Sequence, residues 1–303
     1  MKNEKQFELT HRLKRAQEFE GGGKILHAIQ LYQAIIDDFP DDTTAWFRLI
    51  EIYENMGKMD SVLGVMEELI EHLPDELEVK LFTGHFYFKY QKWEESIAVL
   101  NGVDIESEPI AFFILGLAFF HTGNFKDAAT HLVSFVNFEK NSSFLGESYL
   151  YIARCYLELN QKHVALPYLE EASKLAPTNP EVYFYQAVYY FSIGMYAHAS
   201  TQVSVALELG TENRQIFELA VEIYEKNGEF NRIEALCNKY IEQGEPSPKI
   251  YTYLAKVFLM KNKYRDASVY LETALKLNPN YQQAKDVLKE LTERRDNDLV
   301  KDI

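Results

Sequence analysis

A formal net charge of −15 over 303 residues repels phosphate, so nucleic acid and anionic membrane surfaces are poor partners for this chain. At 47% hydrophobic and 25% charged it has enough apolar residues to fold, yet it is long for a single compact core, which points to several domains or an extended architecture. Only Cys155 and Cys237 are present, so no disulfide framework is expected, and the cytoplasm is the expected compartment. The opening stretch MKNEKQFELTHRLK has no apolar core, and no later segment has the roughly 20 apolar residues that a spanning helix needs.

Taken in chain order, the elements repeat. Tyr53, Tyr87, Tyr156, Tyr190 and Tyr224 recur at steps of 34, 69, 34 and 34, with Phe119 and Phe258 continuing the series. The segments WFRLIEIY (from Trp46), FFILGLAF (from Phe112), YLYIARCY (from Tyr149) and YTYLAKVF (from Tyr251) superpose without a gap. Eight units follow, at about 9–42, 43–76, 77–108, 109–145, 146–179, 180–213, 214–247 and 248–281. Each reads as two helices. Asn179-Pro180 and Ser247-Pro248 place a capping side chain before a first-turn proline, and Gly57, Gly123, Gly194 and Gly228 close the turns between helices. Small residues (Ala16, Gly84, Gly116, Ala153, Ala187, Ala255) stand where paired helices approach closely. Asn101-Gly102 shortens the third unit, EKNSSF lengthens the fourth, and Pro167 is expected to bend or break the second helix of the fifth. Residues 282–295 read as a capping helix and 296–303 as a flexible tail, so the whole chain is expected to be one domain.

The framework resembles the tetratricopeptide repeat (TPR) family. The second unit supplies Trp46, Leu49, Tyr53 and Pro74; the fourth Leu115, Gly116, Phe119, Gly123 and Ala128; the eighth Tyr251, Leu254, Ala255, Phe258, Ala267, Ala274 and Pro279. The resemblance implies an all-α, right-handed solenoid of paired antiparallel helices with a concave groove, and a role in binding other proteins. Some members clamp a chaperone's C-terminal carboxylates with a Lys/Asn/Lys/Arg set. The matching places here hold Leu13, Gln17, Arg48, Glu78 and Phe82, so that ligand is not expected. Nor is there the Asn ladder of a sugar-transferring relative, since Tyr151, Tyr185 and Tyr253 stand in its place.

The fourth unit's first helix is apolar all round, Ala111 to Phe120, which calls for cover on both sides. Once the framework contacts are assigned, Phe113, Leu117 and Phe120 remain as one stripe. The equivalent positions elsewhere define a candidate partner-binding groove. They are Phe47 in unit two, Leu81, His85 and Phe88 in unit three, His121 beside the unit-four stripe, Leu150, Arg154 and Leu157 in unit five, and Phe184, Val188 and Phe191 in unit six. Acidic flanks are expected from Glu51 and Glu54 on one side and Glu218, Glu222 and Glu225 on the other. The expected partner is a protein segment, peptide or helix, with apolar anchors and basic flanks. A structural subunit that associates with its own copies is the second expectation.

No catalytic motif is present. GGGK (from Gly21) lacks the spacing of a phosphate-binding loop, and neither a GxSxG elbow nor an HExxH metal site occurs. The eight histidines are scattered, so no enzyme activity, metal or cofactor is expected.

Overall fold

A computed structural model describes residues 2–104, 106, 108–210 and 215–301. Among these residues all regular structure is helical, in seventeen helices. The fold is thus the all-α helical repeat that the periodicity predicts. The chain divides into two compact units, Met1–Asn160 and Gln161–Ile303, where the sequence suggests one domain. The division falls inside the fifth repeat.

The first unit holds α1 (Lys2–Gly21), α2 (Ile25–Asp38), α3 (Thr43–Asn55), α4 (Met59–His72), α5 (Leu77–Lys89), α6 (Trp93–Leu100), α7 (Pro109–His121), α8 (Phe125–Phe138) and α9 (Leu145–Glu158). Each helix packs on the next, and α5, α7 and α9 also meet one another in sequence, so every second helix stacks beside its counterpart. The second unit holds α10 (Lys162–Leu175), α11 (Pro180–Ser192), α12 (Tyr196–Leu209), α13 (Ile216–Lys226), α14 (Phe230–Glu242), α15 (Pro248–Met260), α16 (Tyr264–Leu277) and α17 (Gln282–Lys301). It stacks in the same way, and α17 packs on both α15 and α16 to cover the last pair. Helix α17 runs beyond 295, and residues 302–303 lie outside the described residues, as does the start of the seventh repeat at 214.

Local chemistry explains the phase of the repeat. The Asn179 side chain accepts from the Glu181 amide and Ser247 from the Ile250 amide, each capping a helix that begins with proline. A large ring ties each of two units to the connection before it. Trp46 Nε1 donates to the Pro40 carbonyl at 3.0 Å, and the Tyr183 hydroxyl donates to the Pro177 carbonyl at 2.9 Å. Between the paired helices the backbone turns left-handed at 23, 57, 91, 123, 160, 194, 228 and 262. Five of these are glycine, while Gln91, Asn160 and Asn262 adopt the same conformation without it.

Gly84 and Gly116 mark the closest helix approaches: a Cβ at either would sit 2.4 Å from Cγ of Leu100 or Leu132, respectively. Pro167 does not break α10, which runs through it. One turn into a helix, a proline removes a single amide donor, and this ring is exposed. Helix α7 is buried along Ala111 and Phe113–Ala118 because α6 and α8 pack on it and α5 and α9 flank it. Neighbouring repeats thus supply most of the cover that an all-round apolar helix requires.

Candidate functional site

In the first unit, α5, α7 and α9 border an open cleft of about 570 Å³. Helix α5 and its turn contribute Phe88, Lys89 and Gln91, and the start of α6 contributes Trp93; α7 contributes Phe113, Leu117 and His121; α9 contributes Glu147 and Tyr151. The spacings are those of single helix faces: 113, 117 and 121 on α7, and 147 and 151 on α9.

The walls are aromatic. Trp93 stacks on His121 with ring centres 4.4 Å apart and planes 13° from parallel, and Phe88 meets Trp93 edge-on at 5.1 Å. Tyr151 lies 6.4 Å from His121 and meets Phe120 edge-on at 4.9 Å. The Arg154 guanidinium sits over both neighbouring rings, 4.5 Å from Phe120 and 4.6 Å from Tyr151. Although His121 keeps contact with solvent, partial desolvation of its ring, aided by the Arg154 charge, holds the imidazole below its usual pKa, so the ring is neutral near pH 7. Lys89 donates to Glu54 at 2.7 Å, and the Tyr90 hydroxyl donates to the same oxygen at 2.5 Å. These hydrogen bonds, Lys89 first, lower the Glu54 carboxyl pKa. The Glu147 carboxyl is pushed up by desolvation at the cleft wall, although its side chain reaches solvent.

Several of the expected groove residues occupy a different environment. Phe113, Leu117 and Leu150 are buried, with only 6%, 4% and 4% of their surface exposed, and Phe184 in the second unit is 3% exposed. They are packing residues first, and the stripe on α7 is not a bare apolar surface. Phe113 shows the cause: Phe144, on the lengthened connection after α8, stacks over it at 4.8 Å, while Phe135 touches it at 5.4 Å.

Phe47, Leu81, Phe88, Phe120, Arg154 and Leu157 are half-buried, and His85 and His121 are exposed. Phe47 stacks on Phe82 of the next repeat at 4.1 Å, and Phe120 packs against Ala128 and Ala129 of α8 with Cys155. In the second unit Val188 and Phe191 are half-buried against the core around Phe184. The acidic flanks are partly quenched. Glu51 pairs with Arg48 at 2.8 Å, Glu54 with Lys89, and Glu218 with Lys249, while Glu222 and Glu225 are exposed.

Trp93, Tyr151, Glu147, Lys89 and Gln91 line the cleft but are absent from the expected groove set. A signal for Trp93 exists, because a large apolar residue opens the second helix of most units: Ile25, Met59, Phe125, Tyr196, Phe230 and Tyr264. Glu147 carries no such signal and resembles any first-turn glutamate.

Among the described residues no group of His, Cys, Asp and Glu could hold a metal ion, and no helix is long and apolar enough to cross a membrane.

Tetratricopeptide repeat family models match residues 13–61 and 146–179. A TPR repeat-containing protein of Bacillus subtilis, YpiA, is 23% identical over 286 residues, covering 93% of this chain and 67% of its own. DnaJ homolog subfamily C member 3 of Gallus gallus is 22% identical over 299 residues, covering 90% of this chain and 52% of its own. This chain therefore spans about two thirds of the first relative and half of the second. A chain of the solved APC/C hetero-tetramer Cut9–Hcn1 is similar at 17% identity and a TM-score of 0.49, over 88% of this chain and 52% of that one. With eight sequence units, stacked helix pairs and two family matches, the second coinciding with the fifth unit, the chain is similar to tetratricopeptide repeat proteins.

Proposed function

We propose that this protein is a non-catalytic scaffold or adaptor, and that the cleft on α5, α7 and α9 receives a segment of another protein. TPR proteins generally mediate protein–protein interaction, which is the coarse part of the reading. The observation that carries the finer part is the aromatic wall of Phe88, Trp93, His121 and Tyr151 around an open cleft. Aromatic side chains offer large contact area at low ordering cost, and a cleft of this size suits one or two side chains of a bound segment. The segment is a peptide or helix with apolar anchors.

The test uses a displayed library of random dodecapeptides selected on the wild-type chain and on Trp93→Ala/Tyr151→Leu, after circular dichroism shows equal helicity. The reading expects peptide families enriched on the wild type that lose about tenfold or more in affinity for the variant. Equal affinity of every selected peptide for both proteins would remove the cleft as the site. Sedimentation at several concentrations tests the rival role in self-association, which requires apparent mass to rise with concentration.

A further inference from the structure

The charges around the cleft are unequally matched. Lys89, at the α5 end, is neutralised by Glu54. His121 is kept neutral by partial desolvation and by Arg154. Glu147, at the α9 end, forms no ion pair among the described residues, and desolvation alone moves its carboxyl. The lining therefore presents a carboxylate without a counter-charge beside a continuous ring surface, Trp93 on His121 and His121 near Tyr151.

A positive group is what such a lining attracts. The faces of Trp and Tyr carry negative quadrupole density, and a cation within about 6 Å of a ring centre gains from it, more so once desolvated. The same neighbourhood already does this internally, since Arg154 rests over Phe120 and Tyr151. That guanidinium does not bar a second cation. Glu147 and Arg154 lie seven residues apart on α9, about 10 Å along the axis at 1.5 Å per residue. Arg154 does not shift the Glu147 carboxyl, which desolvation alone moves, so that carboxylate is left to meet a second cation.

We propose that the cleft takes a lysine or arginine side chain of the partner segment, its stem on the Trp93–His121 rings and its charge against Glu147. This rests on the reading of the cleft as the binding site and gives that site a chemical preference. It also locates the basic feature of the partner at Glu147, rather than at Glu51 and Glu54, which the chain neutralises itself.

The test compares two probes with the same stem, Nα-acetyl-lysine methylamide and Nα-acetyl-norleucine methylamide, followed through the Trp93 indole N–H resonance at pH 7. Trp46, buried and bonded to Pro40, is the internal reference. The lysine probe should bind about tenfold more tightly than norleucine. Glu147→Gln should bring the two within about twofold by weakening lysine alone, and Glu147→Asp should keep part of the preference. Norleucine moving the indole as readily as lysine, or a lysine preference that survives Glu147→Gln, would overturn the proposal while leaving the cleft an apolar docking site. If neither probe moves the indole up to its solubility limit, the proposal and the reading beneath it both fall.

Discussion

Adding one methyl group at Gly116 tests the helix pairing directly. An alanine Cβ there would lie 2.4 Å from Leu132 Cγ, 2.8 Å from its Cδ2 and 3.3 Å from the Ala128 carbonyl oxygen. Carbon atoms in good contact lie about 3.5–4.0 Å apart, so Leu132 must yield by about an ångström or more. It is wholly buried and has no solvent to move into. Overpacking of this kind costs about 1–3 kcal/mol, offset by the roughly 1 kcal/mol that alanine gains over glycine in a helix.

Gly64 in α4 isolates the clash, because it is helical, lies in the same compact unit and has nothing within 4 Å of its would-be Cβ. Gly64→Ala should raise stability by about 0.5–1 kcal/mol. The propensity gain is common to both variants, so the gap between them should be about 1–3 kcal/mol, with Gly116→Ala the weaker. Urea unfolding followed by circular dichroism at 222 nm would measure it, by the usual helix signal. In a Leu132→Ala background the two closest opposing atoms are gone, and Gly116→Ala should become neutral or stabilising. A Gly116→Ala midpoint at or above that of Gly64→Ala would refute the assignment of residue 116 to a close approach.

Three further outcomes are expected. The His121 imidazole should titrate below the usual 6.5 in a nuclear magnetic resonance pH series, and Arg154→Met should raise its midpoint only part of the way, because desolvation is the larger cause. Since the unfolded chain takes up this proton at higher pH than the folded one, acidification below 6.5 should cost stability until the folded group protonates; a His121→Gln profile of the same slope would contradict this. Cys155 and Cys237 are both buried with thiols pushed up to about 12, so an aromatic disulfide reagent at about pH 8 should label neither until urea unfolds the chain. Rapid labelling of the native protein would show that one of them is accessible.

The repeat was legible because its signals are local: aromatic spacing, cap residues before proline, glycine in the turn. Gln91, Asn160 and Asn262 escaped because a search for glycine cannot see a left-handed residue that keeps its side chain. The groove was legible only in outline. Spacing of three and four places Phe113 and Leu117 on one face of α7, but the same spacing serves a solvent-facing stripe and a contact with a neighbouring helix. What decides between them is Phe144, thirty-one positions away on a connection whose extra length was visible but whose ring position was not. The pairing of part of the acidic flanks was hidden for a related reason. Glu54 meets Lys89 and Glu218 meets Lys249, each about one repeat further along the chain, so carboxylates considered within their own helix looked unmatched.

The left-handed residue stands at the same place in every unit, fourteen positions after the unit begins, even where successive units are 32 or 37 residues apart. Variation in length therefore falls after the hairpin turn, at the end of the second helix or in the joint that follows: α6 stops short at Leu100, and the joint after α8 grows to include Phe144. A joint can lengthen without re-phasing either helix pair, whereas one residue added inside a hairpin would turn the following helix by about 100° and present the wrong face to its neighbour. Joints are thus where this architecture can acquire surface chemistry of its own. The residues 139–144 are an instance, a graft that brings a ring onto α7 and remakes the edge of the cleft while leaving every repeat in register.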